Sequence, residues 1–262
     1  MATGVPVSDL DRNLILAPLP QAERARIAER VEPYESDHQV LVQPGGTLDY
    51  AYFPSLGLIS VVAALRNGRR AEIATVGWEG MAGLPLLLGS QSSLYEITSQ
   101  VSGHGLRMTA PGFLEESARN PEFRARLLKY AELRMAMLGQ TAACNASHRI
   151  GARLARWLLL SHDSVDGDEF VLTHEFVAQM LGAERPSVTL AAGPLQKRGL
   201  ITYRRGHVQI KDRAGLERAA CECYAVVRHE RERLMESPPG ERTGQSHLRH
   251  VANRHPDGSG TV

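Results

Sequence analysis

Cysteine is scarce in this chain of 262 residues: there are three, Cys144, Cys221 and Cys223. Three thiols do not make a disulfide framework, and they fit a reducing cytoplasm. An iron–sulfur cluster, which takes about four suitably spaced thiolates, is excluded on the same count. Long apolar runs are missing as well. The longest, 61–65 and 84–88, fall far below the ~20 residues that span a bilayer, and no basic segment followed by an apolar run stands near the first residue. A soluble, cytoplasmic protein with no membrane partner is expected. Neither sign of charge dominates, since 30 Lys and Arg face 29 Asp and Glu, so the total says nothing about partners. Signatures of catalysis are absent: no glycine-rich phosphate loop before a helix, no nucleophile elbow, no helical His-x-x-x-His pair. His148, Cys144 and His162 are scattered along helical segments that already have a packing reason. No catalytic residue, no metal ligand and no cofactor is therefore assigned.

What the chain does have is ordinary globular composition, 43% hydrophobic and 23% charged, in three successive regimes. Residues 35–109 hold ten of the 24 glycines and a series of short β-type runs: 39–42, 50–53, 57–65, 71–76, 93–101 and 105–108. Turn signals separate them at Pro44-Gly45-Gly46, Pro54-Ser55, Asn67-Gly68 and Ser102-Gly103. Many short strands at regular spacing predict a compact all-β unit. Residues 120–161 are nearly free of glycine and proline and read as long helix, with Asn120-Pro121 as cap and first-turn proline. Leu128, Met135 and Ala142 recur every seven residues, with Ala131, Leu138 and Asn145 offset by three. That is an a/d seam for a homodimer, and Asn145 is the kind of polar residue that sets its register. The same helix can pack its opposite side on its own β-domain. A second helix is expected over 150–162.

The third regime alternates helix and strand. Thr173 before Glu175 and Phe176 is a helix N-cap, Gly182 supplies a tight turn, and Pro186 falls in the first turn of a second helix. Two short helices joined by a glycine turn make a helix-turn-helix. A β-hairpin follows, with Arg204 and Arg205 at its tip, well placed for phosphates. Between 171 and 213, seven Lys and Arg face three Asp and Glu, a local excess that suits a phosphate backbone. The pattern points to double-stranded DNA as partner.

From 173 to 212 the chain resembles the Crp/Fnr superfamily of bacterial transcription regulators. The resemblance is carried by Leu181-Gly182-x-x-Arg185-x-x-Val188, by 195–201, and by the wing ending in Ile210-Lys211-Asp212. Gln43-Pro44-Gly45, Tyr52-Phe53-Pro54 and Gly77-Trp78-Glu79-Gly80 extend it less specifically to the N-terminal half, so that it covers about 10–234. It implies an α+β protein: a jelly-roll-like β-roll of the cyclic-nucleotide-binding type (10–119), a long dimerisation helix with a hinge helix (120–162), a winged helix-turn-helix (163–235) and a disordered tail (236–262). It also implies roles. Arg185, with Pro186 and Thr189, falls where the family reads bases, and Thr173, Ser187, Lys197, Arg204 and Arg205 fall where phosphates are met. RNA polymerase is a partner such a regulator can contact. Pro186 and Leu190 replace side chains that well-known members use, and Gly193-Pro194 sits inside the recognition helix, where proline should bend or end it. These prolines motivate the alternative, an effector-binding or protein-interaction module whose helix-turn-helix is only structural.

The resemblance places an effector pocket around Gly77, Trp78, Glu79, Gly80, Ser92 and Ser93. Members that bind cyclic nucleotides hold the phosphate with an arginine in this stretch. None occurs here between Arg70 and Arg107, so cyclic AMP is not expected to bind and the effector is unassigned. Oxygen-sensing members carry cysteines ahead of the β-roll, which this chain lacks. Cys221 and Cys223, two apart in an expected helix over 216–234, should point to different faces. His247, His250 and His255 belong to the tail.

Overall fold

A computed structural model describes residues 7–204 and 206–236. Helices α1 (Val7–Arg12) and α2 (Gln21–Ala28) lead into an antiparallel sheet of β1 (Val31–Ser36), β2 (Val40–Val42), β3 (Tyr50–Ala64), β4 (Arg70–Val76) and β5 (Glu96–Thr109). The order is β1-β5-β3-β4, with β2 also on β5. Asn67-Gly68 does lie in the β3–β4 hairpin, Gly68 at φ +78°.

Two expected turns are not turns. Pro54-Ser55 and Ser102-Gly103 lie inside the long strands β3 and β5, whose pairing slips between Pro54 and Leu56, Leu56 and Leu58, and Leu58 and Ile59. Such bulges bend a strand without ending it. Glycine is required at the crossing: a β-carbon on Gly103 would lie 2.1 Å from the Leu56 carbonyl oxygen. The residues that read locally as breaks curl one continuous sheet into a β-roll. Strand β1 carries Pro33 and the exposed acids Glu32 and Glu35 on the sheet's edge, where proline is tolerated, so its β signal is weak.

After α3 (Ala110–Arg119), Asn120 caps α4 (Pro121–Ser147) by accepting a hydrogen bond from Phe123 N at 2.9 Å. The inner side of α4 enters the β-roll core: Phe123 packs against Phe53 and Phe113, and Leu127, Tyr130, Leu133 and Met137 are buried beside them. A kink at His148, in extended conformation, separates α4 from α5 (Ile150–His162).

Helix α5 belongs to a second core rather than to the central helix. Leu154, Trp157 and Leu158 pack with β6 (Glu169–Val171), α6 (His174–Met180), α7 (Arg185–Lys197), β7 (Ile201–Arg204), β8 (His207–Ile210) and α8 (Arg213–Ala219). A boundary at 162/163 therefore cuts a packed unit. The reason is burial: every residue of α5 from 154 to 159 is buried, so the helix needs cover on nearly every side. Leu58, Val62 and Val101 of the β-roll join this core, so the two halves share a packed seam.

The expected single helix over 216–234 is broken. Ala220 is extended and ends α8, and the chain restarts as α9 (Cys223–Arg231), followed by a π turn over Glu232–Glu236. Tyr224 is held at the break, donating to Asp163 Oδ2 at 3.0 Å and accepting from Arg213 at 2.6 Å. The tail from 237 onwards, with His247, His250 and His255, lies outside the described residues. Among those described, no helix is long and apolar enough to cross a membrane.

Candidate nucleic-acid interface

Thr173 caps α6, its hydroxyl accepting from Phe176 N at 3.2 Å. Gly182 turns the chain at φ +59°, a left-handed conformation that favours glycine, and α7 begins at Arg185 with Pro186 in its first turn. Val188, Ala192 and Leu195 form the buried face of α7. Leu190 points outward and is 78% exposed. Pro194 does not end the helix, which runs on to Lys197; it sits on the exposed side, away from the core. Neither proline therefore dismantles α7.

The outward face carries Arg185, Pro186, Thr189 and Lys197, all exposed, with Ser187 half-buried between them. The Thr189 hydroxyl donates back to the Arg185 carbonyl at 3.1 Å. On the wing, Arg204 pairs with His207 across β7 and β8 and is exposed; Arg205, at the tip, lies outside the described residues. Among the described residues, Arg185, Lys197 and Arg204 have no ion-pair partner. Structural arginines look different. Arg213 is bound to Asp163 at 2.6 Å, Arg70 to Glu96, and Arg134 to the Thr75 carbonyl. Cations left in water on one face can meet phosphates or base edges without first breaking an internal bond.

The turn of the helix-turn-helix leans on the β-roll. Arg69 donates to the Gly182 carbonyl at 3.0 Å, and Arg153 donates to that of Leu181. Beside them, Trp157 and Ser60 donate to Glu72 at 2.9 and 2.5 Å. Loss of water in this seam lifts the Glu72 carboxyl to about 7, outweighing those hydrogen bonds and the nearby Arg156 and Arg134.

The expected effector pocket is divided. Ser92 and Ser93 line a cavity of about 490 Å³ in the β-roll, with Val61, Ile73, Val76 and Leu84 among its aliphatic walls. Gly77, Trp78, Glu79 and Gly80 do not line it. The Glu79 carboxylate accepts from Gly77 N at 3.0 and 3.1 Å, and Trp78 donates to the Asp163 carbonyl at 2.8 Å, so both serve the fold. Gly80 is pressed against the Tyr130 ring, where no side chain would fit. An arginine does reach the cavity: Arg134 enters it from α4, well beyond the stretch between Arg70 and Arg107.

Residues 152–219 match a family described as a Crp-like helix-turn-helix domain. No curated protein sequence matches the chain. Among solved structures, a CRP-family transcriptional regulator from Thermus thermophilus is similar at a TM-score of 0.60 and 22% identity, covering 72% of this chain and 96% of the other. FixK2 from Bradyrhizobium japonicum aligns at 0.62 and 13% identity, covering 73% and 98%. The c-di-GMP-responsive global regulator CLP of Xanthomonas campestris aligns at 0.57 and 14%, covering 73% and 99%. The chain thus carries a Crp-like helix-turn-helix domain on a fold shared with Crp/Fnr regulators.

Proposed function

We propose that this protein is a cytoplasmic, sequence-specific transcription regulator of the Crp/Fnr type that binds a palindromic DNA site as a homodimer. The observation that carries the reading is the outward face of α7 and the wing, where Arg185, Lys197 and Arg204 stand exposed and unpaired among the described residues. Arg185, in the first turn of α7, is the principal base reader, with Pro186 and Thr189 beside it; Thr173, Ser187, Lys197, Arg204 and Arg205 meet phosphates.

The dimer reading is supported by the outer side of α4. Leu128, Met135 and Leu138 are 50%, 74% and 41% exposed, and Ala142 and Asn145 are exposed with them, while Ala131 is half-buried. Three large apolar side chains in a row on one helix face are what a second copy would cover. Leu138 also lines the β-roll cavity, so an effector there would touch the dimer face directly. That cavity is walled mostly by aliphatic groups, and its arginine is already bound to the Thr75 carbonyl, which suits an apolar ligand better than a cyclic nucleotide.

Genome-wide footprinting of the full chain tests the function. Two-fold symmetric sites are expected, with half-site centres about 34–36 Å or a multiple apart. Footprints without symmetry, or binding no tighter than to bulk DNA, would overturn it. RNA polymerase recruitment is read afterwards from where the sites fall relative to promoters.

A further inference from the structure

The break between α8 and α9 turns Cys221 and Cys223 to the same side, against the last turn of α4. There they meet Cys144 and His148, which caps α4, and the four potential ligand atoms all lie within 4.8 Å of one another. Cys144 Sγ is 3.5 Å from Cys221 Sγ, and Cys223 Sγ is 3.5 Å from His148 Nδ1. All three cysteines are buried.

We propose that Cys144, His148, Cys221 and Cys223 form a closed tetrahedral site for one zinc ion, which clamps the end of α4 to the α8–α9 elbow.

The dimensions suit that ion. Zinc–sulfur bonds of about 2.3 Å and zinc–nitrogen bonds of about 2.0–2.1 Å in a tetrahedron set ligand atoms about 3.6–3.8 Å apart. The two sulfur and nitrogen separations already lie near that spacing, and a small inward shift of the others closes it. Three thiolates and one imidazole form a common set for structural zinc, and a full set of four protein ligands leaves no open position for catalysis. The same atoms are too close together to enclose two irons and their bridging sulfides. A disulfide between Cys144 and Cys221 would need the sulfurs at about 2.05 Å.

The surrounding groups are those that orient metal ligands. His148 presents Nδ1 to the thiols while its Nε2 lies 3.1 Å from Glu222 Oε1, the carboxylate–histidine arrangement that fixes the ring and its tautomer. Gln140 donates to Cys223 Sγ at 3.0 Å, a bond that favours thiolate. Cys223 is also the first residue of α9, where the helix dipole stabilises negative charge. On binding, each of the three thiols loses its proton to solvent, so the loaded site carries one net negative charge. The ion would bridge both sides of the kink at His148 and fix the winged domain on the central helix.

The test uses the full chain, reduced, exposed to zinc and desalted. Elemental analysis should find one zinc per chain, and cobalt in its place should give thiolate charge-transfer bands and intense tetrahedral visible bands. Glu222→Gln, at an exposed carboxylate, should fold normally and bind zinc about 10–100-fold more weakly in competition with a chelating dye. Changing Cys221 and Cys223 together to Ser should abolish stoichiometric zinc. Chelation should lower the melting temperature of the parent chain and leave that of the double variant unchanged. A reduced parent chain that stays metal-free in micromolar zinc overturns the site, as does uptake of iron in preference to zinc. So does equal zinc in the double variant, or unaltered affinity in Glu222→Gln should the serine variant not fold. None of these readouts depends on DNA.

Discussion

The two sides of α4 are built from the same residue types and meet opposite surroundings. Phe123, Leu127, Tyr130 and Met137 face inward and are buried. Leu128, Met135 and Leu138 face outward and are not. Arginines divide in the same way. Arg134 and Arg213 are bound inside the chain, whereas Arg185 and Arg204 point into water. Groups saturated within the chain hold it together, and groups left unsaturated are where the proposed partners would attach. The comparison matters because composition treats both sets alike.

The largest expected effects come from exchanging the two sides of α4. Leu127→Ala should cost about 2–5 kcal/mol of stability, as a buried leucine replaced by a cavity does, with the mass of the particle unchanged. Leu138→Glu should do the reverse: light scattering shows monomer, because a carboxylate buried in the seam costs several kcal/mol, while the monomer melts normally. A Leu138→Glu chain that remains dimeric removes the outward stripe from the dimer.

Next in size is the seam between the halves. Glu72 has a folded value of about 7 against an ordinary 4.5, so the folded chain holds an extra proton between those values. Stability therefore falls as pH rises from about 4.5 to 7 and levels off above, by up to about 3 kcal/mol. Glu72→Gln should flatten that slope in denaturant titrations. A variant with the parent's pH profile would show that Glu72 is not the group responsible.

The outward arginines should fail in two distinct ways. Arg185→Ala should lose about 1–3 kcal/mol per half-site at the specific operator, in pairs of positions related by the palindrome, and leave non-specific binding nearly intact. Because Arg185 makes no ion pair among the described residues, the melting temperature should not move. A lower melting temperature with an unchanged specificity ratio would return Arg185 to a structural role. The smallest effect is expected of Arg204→Ala, which should weaken all DNA alike and reduce the salt slope by about 1 for each arginine lost. A sequence-dependent loss at Arg204 would move it from phosphate to base contact.

Much was legible because it depends on neighbours in the chain. The Asn120 cap, the Thr173 cap, the Gly182 turn and the first-turn Pro186 are decided within four residues, and each falls where its local chemistry puts it. Pocket residues were less legible. Glu79 was assigned to a ligand by position, and it is consumed by Gly77 two residues away. Arg134 is not legible from the β-roll sequence, because it enters the cavity from a helix that follows it. In one continuous helix Cys221 and Cys223 would point to different faces, and the break at Ala220 removes that helix.

The elements and their periodicity follow from neighbouring residues: β-type runs, a long helix with two apolar sides, two short helices about a glycine turn, and a basic hairpin. Only the packed fold sets which turn-like residues become bulges, which apolar side stays uncovered, and which arginines lack an internal partner. It also decided that cysteines 77 residues apart would touch. Hydrogen bonding and steric preference act over a few bonds and can be read from adjacent residues. Burial and pairing depend on whatever the rest of the chain brings to the same place.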